Sequence, residues 1–407
     1  MTKNKGLIIA AIIIIIGALV YSSQSPKVTK GAGGEIKMGI ILGFTGPIES
    51  LTPAMAASAE LAFKEASDSG SLLGGETISV VRADSTCVDS AAATTAAEGV
   101  VSQGVAAIMG ADCSGVTGAI ASNVAVPNGV VMISPSATSP GLTTLDDKGF
   151  FFRTAPSDAR GGQILADITK DRGIKSLAIT YTNNDYGKGL ADVYTAAVKA
   201  HGIEVTTVSA HEDGKADYSS EVATLAAGGG EAIAVIGYLD QGGKGIIQGA
   251  LDSGSFDTFI LSDGMIGDSL TDAFGEGLNK SFGSMPGSMN QKTAGTFATI
   301  AKTAGIDSSG PYTGESYDAA ALIVLAMQAG GSADRASIAK NVMGVANGPG
   351  TKIYPGELKK GLDLLAKGKK IDYEGATGVV FTEVGEAEGS FLEKEIKGGK
   401  FKNKKQR

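Results

Sequence analysis

Three consecutive blocks, 36-IKMGIIL-42, 52-TPAMAASAELAFKEASDSG-70 and 77-TISVVRA-83, decide the fold. The first is a short apolar run, which reads as a buried strand. In the second, Ala, Leu and Phe recur at helical spacing from Thr52 to Ser69, and Gly70 stops the helix. The third alternates as a strand. A strand, a helix and a strand in succession make one unit of a parallel sheet covered by helices.

The same rhythm continues outward. Ala91 to Ser102 is Ala-rich and helical, Val105 to Met109 is a buried strand, Ser114 stands as the N-cap of the next helix, and Val130 to Ile133 is a fourth strand. Near Phe150 to Ala155 the pattern resets. A second series follows: helices at 162–171, 190–200, 219–227 and 244–253 alternate with strands at 176–181, 204–208, 232–236 and 258–261. Beyond Met285 come helical runs at 293–303, 316–329 and 336–343. A strand pair is expected at Gly378 to Phe381 and Gly389 to Leu392, and Lys394 to Arg407 reads as a frayed basic end.

The expected fold is therefore α/β, with two doubly wound parallel-sheet lobes and a hinge of about three crossings, near Ala155, Met285 and Thr377. Residues 1–34 form a signal peptide or N-terminal anchor with a tether. Residues 35–155 and 286–377 form lobe one, 156–285 and 378–398 form lobe two, and 399–407 form a basic tail.

The 407 residues are 43% hydrophobic and 19% charged, which suits a protein with large buried cores. A net charge of -8 argues against a nucleic-acid partner, since phosphate binding needs clustered Lys and Arg. Lys3 and Lys5 precede the apolar run Leu7 to Val20, which is shorter than the roughly 20 residues of a comfortable bilayer span. A secretory signal is the first reading, an uncleaved anchor the second, and the rest of the chain is exported either way. The membrane contact expected is through this segment alone. No Cys follows the run, which argues against a lipoprotein anchor. The two cysteines, Cys87 and Cys113, lie in the exported part, where a pair is more often bridged than free. A metal site is the competing reading, but neither has a His or a third Cys nearby in sequence.

In an open α/β sheet, ligands bind beyond the carboxyl ends of the strands. In the first series those loops carry Ser114 and Ser134-Pro135-Ser136-Ala137-Thr138, small hydroxyl residues at helix starts that suit a carboxylate. Ordinary N-capping explains them equally well. In the second series they carry Tyr186, Tyr238, Asp240 and Asp263. Asp263 can pair with an ammonium, and the phenols can orient it or cover the ligand. The competing readings are an Asx turn before Gly264 for Asp263 and a solvated carboxylate for Asp240. A zwitterion buried between such loops has both charges met.

The chain resembles the leucine/isoleucine/valine-binding proteins, the type I periplasmic binding proteins of branched-chain amino acid transporters, over about Ile36 to Leu392. The resemblance is carried by G-x-T-G-P-I at 43–48, C-S at 113–114 and I-S-P-S-A-T at 133–138. It continues in R-T-A at 153–155, D-Y-G-K-G-L at 185–190, G-Y at 237–238 and S-Y-D-A at 316–319. It implies a Cys87–Cys113 disulfide beside the site. It implies a ligand carboxylate on Ser114, Ala137 and Thr138, and an ammonium on Asp263 with Tyr186 and Tyr238 beside it. Asp263 stands where relatives often have Glu. Leu51 stands where some have Trp, and Tyr317 is expected to line the same pocket. Residues 344–374 have no clear counterpart.

The function expected is capture of a branched-chain or other aliphatic amino acid and delivery to the permease of an ABC transporter. No cofactor and no metal is expected. The alternatives are amides, urea or small carboxylic acids as ligands, or a sensor ectodomain, which would need a C-terminal span and signalling domain. An enzyme is disfavoured. His201 and His211 are the only histidines, both read as surface residues, and no H-E-x-x-H, G-x-S-x-G or dinucleotide fingerprint occurs. The run Gly242-Gly243-Lys244-Gly245 lacks the spacing of a phosphate loop.

Overall fold

The computed structural model describes residues 34–407, so the signal or anchor reading of the N-terminus lies outside the described residues. The chain begins as β1 (Glu35–Leu42), α1 (Thr52–Asp68), β2 (Thr77–Asp84), α2 (Ser90–Ser102), β3 (Ala107–Gly110), α3 (Ser114–Ile120), β4 (Val131–Ser134) and β5 (Phe151–Pro156). These strands pair in parallel, β1 lying between β2 and β3 in the register Ile36↔Ile78 and Gly39↔Ile108. The apolar runs of β1, β3, β4 and β5 are buried, as helices on either side of a parallel sheet require, while β2 at the edge is half-buried. Local capping fixes the helix starts. The Asp89 carboxylate accepts from the N–H groups of Ala91 and Ala92 at the head of α2.

The second series is α4 (Asp158–Asp171), β6 (Ser176–Thr182), α5 (Asp185–Ala200), β7 (Glu204–His211), α6 (Ser219–Gly228), β8 (Ala232–Ile236), α7 (Gly242–Ser253), β9 (Phe259–Leu261), α8 (Asp268–Phe274) and β10 (Phe282–Gly287). Ser157 caps α4 and Asn184 caps α5. The chain then returns to the first core with α9 (Gln291–Thr303), α10 (Thr313–Gly330) and α11 (Arg335–Ala346), followed by β11 (Thr351–Ile353), α12 (Leu358–Ala366), β12 (Ile371–Tyr373) and the two-residue β13 (Glu386–Ala387). It finishes as β14 (Ser390–Lys397) and β15 (Lys400–Gln406). One sheet has the order β13-β5-β4-β3-β1-β2, the other β15-β14-β10-β9-β8-β6-β7. Helix α10 is buried on every face from Thr313 to Gln328 apart from Gly314, which explains its nearly uniform apolar sequence.

Residues 344–374, unmatched in sequence, build a small parallel pair, β11 with β12, packed with α12 over α1 and α10. Two carboxylates, the half-buried Glu65 and the buried Asp318, pin this insert. Glu65 accepts from Leu358 N (2.8 Å), and Asp318 accepts from Tyr373 Oη (2.8 Å), Ala376 N (2.7 Å) and Thr377 N (2.9 Å).

The C-terminal expectations need correction. Residues 378–387 do not join the second lobe at Thr377. Phe381 stacks on Phe152 at 5.9 Å in the first core, and β13 pairs in parallel with β5. The third crossing therefore falls between Ala387 and Ser390. Of the expected strand pair, only a single Phe381–Ala387 bridge forms at the first member, while the second grows into β14, antiparallel to β10. The basic end is not frayed. Gly398 and Gly399, both at positive φ, turn the chain into β15, the edge of the second sheet. Arg407 closes it with an ion pair to Glu393 at 2.6 Å and another to Asp171 at 2.7 Å.

Candidate ligand-binding cleft

The carboxyl ends of the two sheets face each other. On the first, the buried Asp112 gathers three loops. It accepts from Gly43 N (2.5 Å), Ser85 Oγ (3.0 Å) and Cys113 N (2.9 Å), and burial raises its pKa above the usual carboxylate range. The Cys87–Cys113 disulfide, with S–S 2.05 Å, ties the loop after β2 to the loop after β3. Ser114 is not the N-cap of α3. Cys113 takes that place, and Ser114 Oγ accepts from Ser139 N at 3.1 Å. Ser136 Oγ donates to Asp112 O at 3.1 Å.

A narrow cavity between the lobes is lined by Ile48, Leu51, Met55, Ser114 and Ser136 from the first and by Tyr186, Tyr238, Asp263 and Gly264 from the second. Leu51 packs against the cores of both lobes. Tyr186 Oη lies 2.7 Å from Asp263 Oδ1 and 3.0 Å from Ser262 Oγ, and its ring stacks on Tyr238 at 5.1 Å. Tyr312, at φ 65, reaches across from the first lobe and donates its hydroxyl to Asp263 Oδ2.

A smaller adjoining space is lined by Thr138, Asp158, Ser262 and Asp263. Asp158 opens α4 immediately after the first crossing, and its buried carboxylate lies beside Thr138 Oγ1, close enough for the hydroxyl to favour the charged form. Burial, and then the charge of Asp263, push the Asp158 carboxyl well above its ordinary range; burial raises Asp263 as well. The nearby guanidinium, Arg153, is already committed to Glu386 at 2.5 Å and to the carbonyls of Ala137 and Ser139. The site thus holds three buried carboxyl groups, Asp112, Asp158 and Asp263, and no free cation of its own among the described residues, so it favours a ligand that brings positive charge.

Of the residues singled out in sequence, Leu51, Ser114, Ser136, Tyr186, Tyr238 and Asp263 meet at one cavity, with Thr138 next to it. Two do not reach it. Ala137 lies behind the wall, its N–H donated to Ser134 Oγ (3.0 Å) and its carbonyl held by Arg153. Tyr317 is buried in the first core, its hydroxyl 2.5 Å from Glu65 Oε2 and accepting from Gly356 N. Tyr312 precedes the helix at a positive φ and projects into the cleft, whereas Tyr317 lies within the helix and points into the first core. His211, expected at the surface, is also inside. Its Nδ1 lies 2.8 Å from Thr180 Oγ1, and burial lowers its pKa to about 4. Asp240 is no free loop carboxylate either. Its N–H donates to Pro47 O (3.0 Å), and its Oδ2 accepts from Ser50 N (2.9 Å), both across the cleft.

Sequence reasoning missed Asp158 and Tyr312. The one reads as an ordinary first-turn helix acid, and the other precedes a helix with no periodic signal of its own.

A family model described as "Periplasmic binding protein" matches residues 35–356. The Leu/Ile/Val-binding protein homolog 1 of Brucella melitensis is 30% identical over 318 residues, covering 76% of this chain and 82% of the relative. Among solved structures, the leucine-binding protein LivK of Thermotoga maritima aligns with a TM-score of 0.75 at 22% identity, covering 91% of this chain and 98% of that one. A solute-binding protein from R. palustris in complex with 4-hydroxybenzoate aligns with a TM-score of 0.71 at 16% identity, covering 92% and 97%.

Proposed function

The chain belongs to the periplasmic binding protein family and is not an enzyme; on that premise we propose that it captures a zwitterionic amino acid, of aliphatic and most simply branched-chain type, outside the cytoplasm and delivers it to an ABC transporter permease. The observation that carries this reading is the set of groups around the cavity, which encloses about 30 Å³ in this closed arrangement and widens to admit a ligand. It places the hydroxyls of Ser114 and Ser136 on one wall and the Asp263 carboxylate, framed by two phenols, on the other. The ligand ammonium sits at Asp263 with Asp158 close by, and the ligand carboxylate sits on the Ser114, Ser136 and Thr138 side. Ile48, Leu51 and Met55 supply an apolar wall for the side chain. The ammonium offsets part of the like-charge repulsion between the two acids, which an uncharged or purely anionic ligand cannot do.

Delivery works by closure. Three backbone crossings join the lobes, and contacts across the cleft stabilise the closed arrangement: Asp240 with Pro47 and Ser50, Ser139 Oγ with Asp185 O at 3.0 Å, and Tyr312 with Asp263. A ligand that touches both walls favours the closed state by its differential contacts, and the closed surface is what a permease reads.

The test is a calorimetric screen of the twenty amino acids together with urea, short amides, benzoate and 4-hydroxybenzoate. An aliphatic amino acid should bind most tightly. Preference for an aromatic carboxylate, which has no ammonium to offer Asp263, would overturn the assignment.

A further inference from the structure

Past Leu51 and Tyr312 the space between the lobes opens again into a cavity of about 740 Å³. These two side chains line both spaces and form the wall they share. From the first lobe the outer cavity is lined by Glu315, in the first turn of α10; from the second it is lined by Lys394 of β14 and Asp268 of α8. Glu315 is 5% exposed and Lys394 7% exposed. Among the described residues neither side chain makes an ion pair or a hydrogen bond to another residue; the Glu315 carboxyl meets only its own backbone N–H, and Asp268 is near enough to act on Lys394 through space.

A buried ammonium without a partner is costly, and a cavity beside it lets a ligand supply one. Glu315 acts in the same sense. Burial, and after it the charge of Asp318, raise its pKa to about 8, so near pH 7 it is mostly a neutral acid with a proton to donate. The outer cavity therefore presents two donors, one from each lobe.

We propose that this outer cavity is a second ligand subsite that takes a carboxylate, held by the Lys394 ammonium and the Glu315 carboxyl. The inference rests on reading the inner cavity as an amino-acid site. The carboxylate is either the distal group of a long acidic amino acid whose ammonium lies at Asp263, or a separate small acid bound beside a shorter one. In both cases the bound group bridges the lobes and adds to closure.

The experiment is titration calorimetry on the full-length protein with leucine, 2-aminoadipate and 2-aminopimelate, and with glutarate added to leucine-saturated protein. At least one acidic ligand should bind. Its affinity should fall tenfold or more in Lys394→Met and in Lys394→Gln, and stay within about threefold in Glu315→Gln, which keeps a donor. Leucine should change less than threefold in all three, and thermal melts should show that each variant folds. An acidic amino acid that competes with leucine identifies one spanning ligand, whereas glutarate binding to leucine-saturated protein identifies a separate one; both support the subsite. If leucine binds and no acidic ligand does at millimolar concentration, the subsite fails while the amino-acid reading stands. If no amino acid binds but glutarate binds in a Lys394-dependent way, the amino-acid reading fails while the subsite stands. Equal weakening of leucine and acidic ligands in Lys394→Met would make Lys394 a closure contact and overturn the proposal.

Discussion

Tyr312, from the first lobe, donates its phenolic hydrogen to the carboxylate of Asp263, from the second. Tyr186 reaches the other oxygen of the same carboxylate at 2.7 Å. Asp263 is thus oriented from both sides of the cleft.

Asp263→Asn should weaken binding of an aliphatic amino acid by about 2–5 kcal/mol, because a buried ammonium loses its charged partner. Tyr312→Phe should cost about 1 kcal/mol, the loss of one hydrogen bond to a carboxylate that keeps its second phenol. Calorimetry on both variants checks the order. Equal losses would mean that Tyr312 matters as much as the charge does.

Asp240→Ala removes the acceptor for Ser50 N and for Ser269 Oγ while leaving the cavity lining intact. The closed state should lose about 1 kcal/mol, giving a several-fold weaker ligand affinity. Small-angle scattering of the ligand-free variant should show a larger radius of gyration than the wild type. An unchanged radius together with unchanged affinity would count against its role in holding the lobes together.

Reduction of Cys87–Cys113 opens a loop with a sequence separation of 26 and should lower stability by about 3 kcal/mol. The same bond anchors the residue before Ser114, so ligand affinity should fall as well. Melting curves and titrations with and without reductant read the two effects separately.

Glu315 gives stability a pH dependence. Its ordinary pKa is 4.5 and its folded value about 8, so between these the folded chain holds a proton that the unfolded chain has released. Stability from this group is fully present below pH 4.5 and is lost as pH rises through 8, a change on the order of a few kcal/mol. Glu315→Gln should flatten that part of the profile and be more stable than the wild type above pH 8. Denaturant midpoints measured from pH 5 to 9 test it.

Much of this was legible in the chain because it is local. The blocks from Ile36 to Ala83 carry a strand, a helix and a strand in their spacing alone, and the loops after such strands had to hold any ligand site. Asp263, Tyr186, Tyr238 and Ser114 stood out there because small hydroxyls, phenols and a carboxylate at strand ends are chemically distinctive. The end of the chain was misread for the opposite reason. Lys400 to Gln406 has too little hydrophobic pattern to announce a strand, and its place comes from antiparallel pairing with β14 and from the ion pairs of Arg407.

The sequence by itself determined the alternation of elements, the presence of two lobes and the kinds of chemistry at the strand ends, since periodicity, caps and turn residues act over a few neighbours. Only the tertiary structure decided which side chains share a cavity. Tyr312 enters it and Asp158 the space beside it, while Tyr317 and Ala137 do not, because the direction of each side chain is fixed by packing between residues far apart in the chain. The separation of an inner cavity at Asp263 from an outer one at Lys394 and Glu315 likewise depends on how two cores come together, which no local pattern encodes.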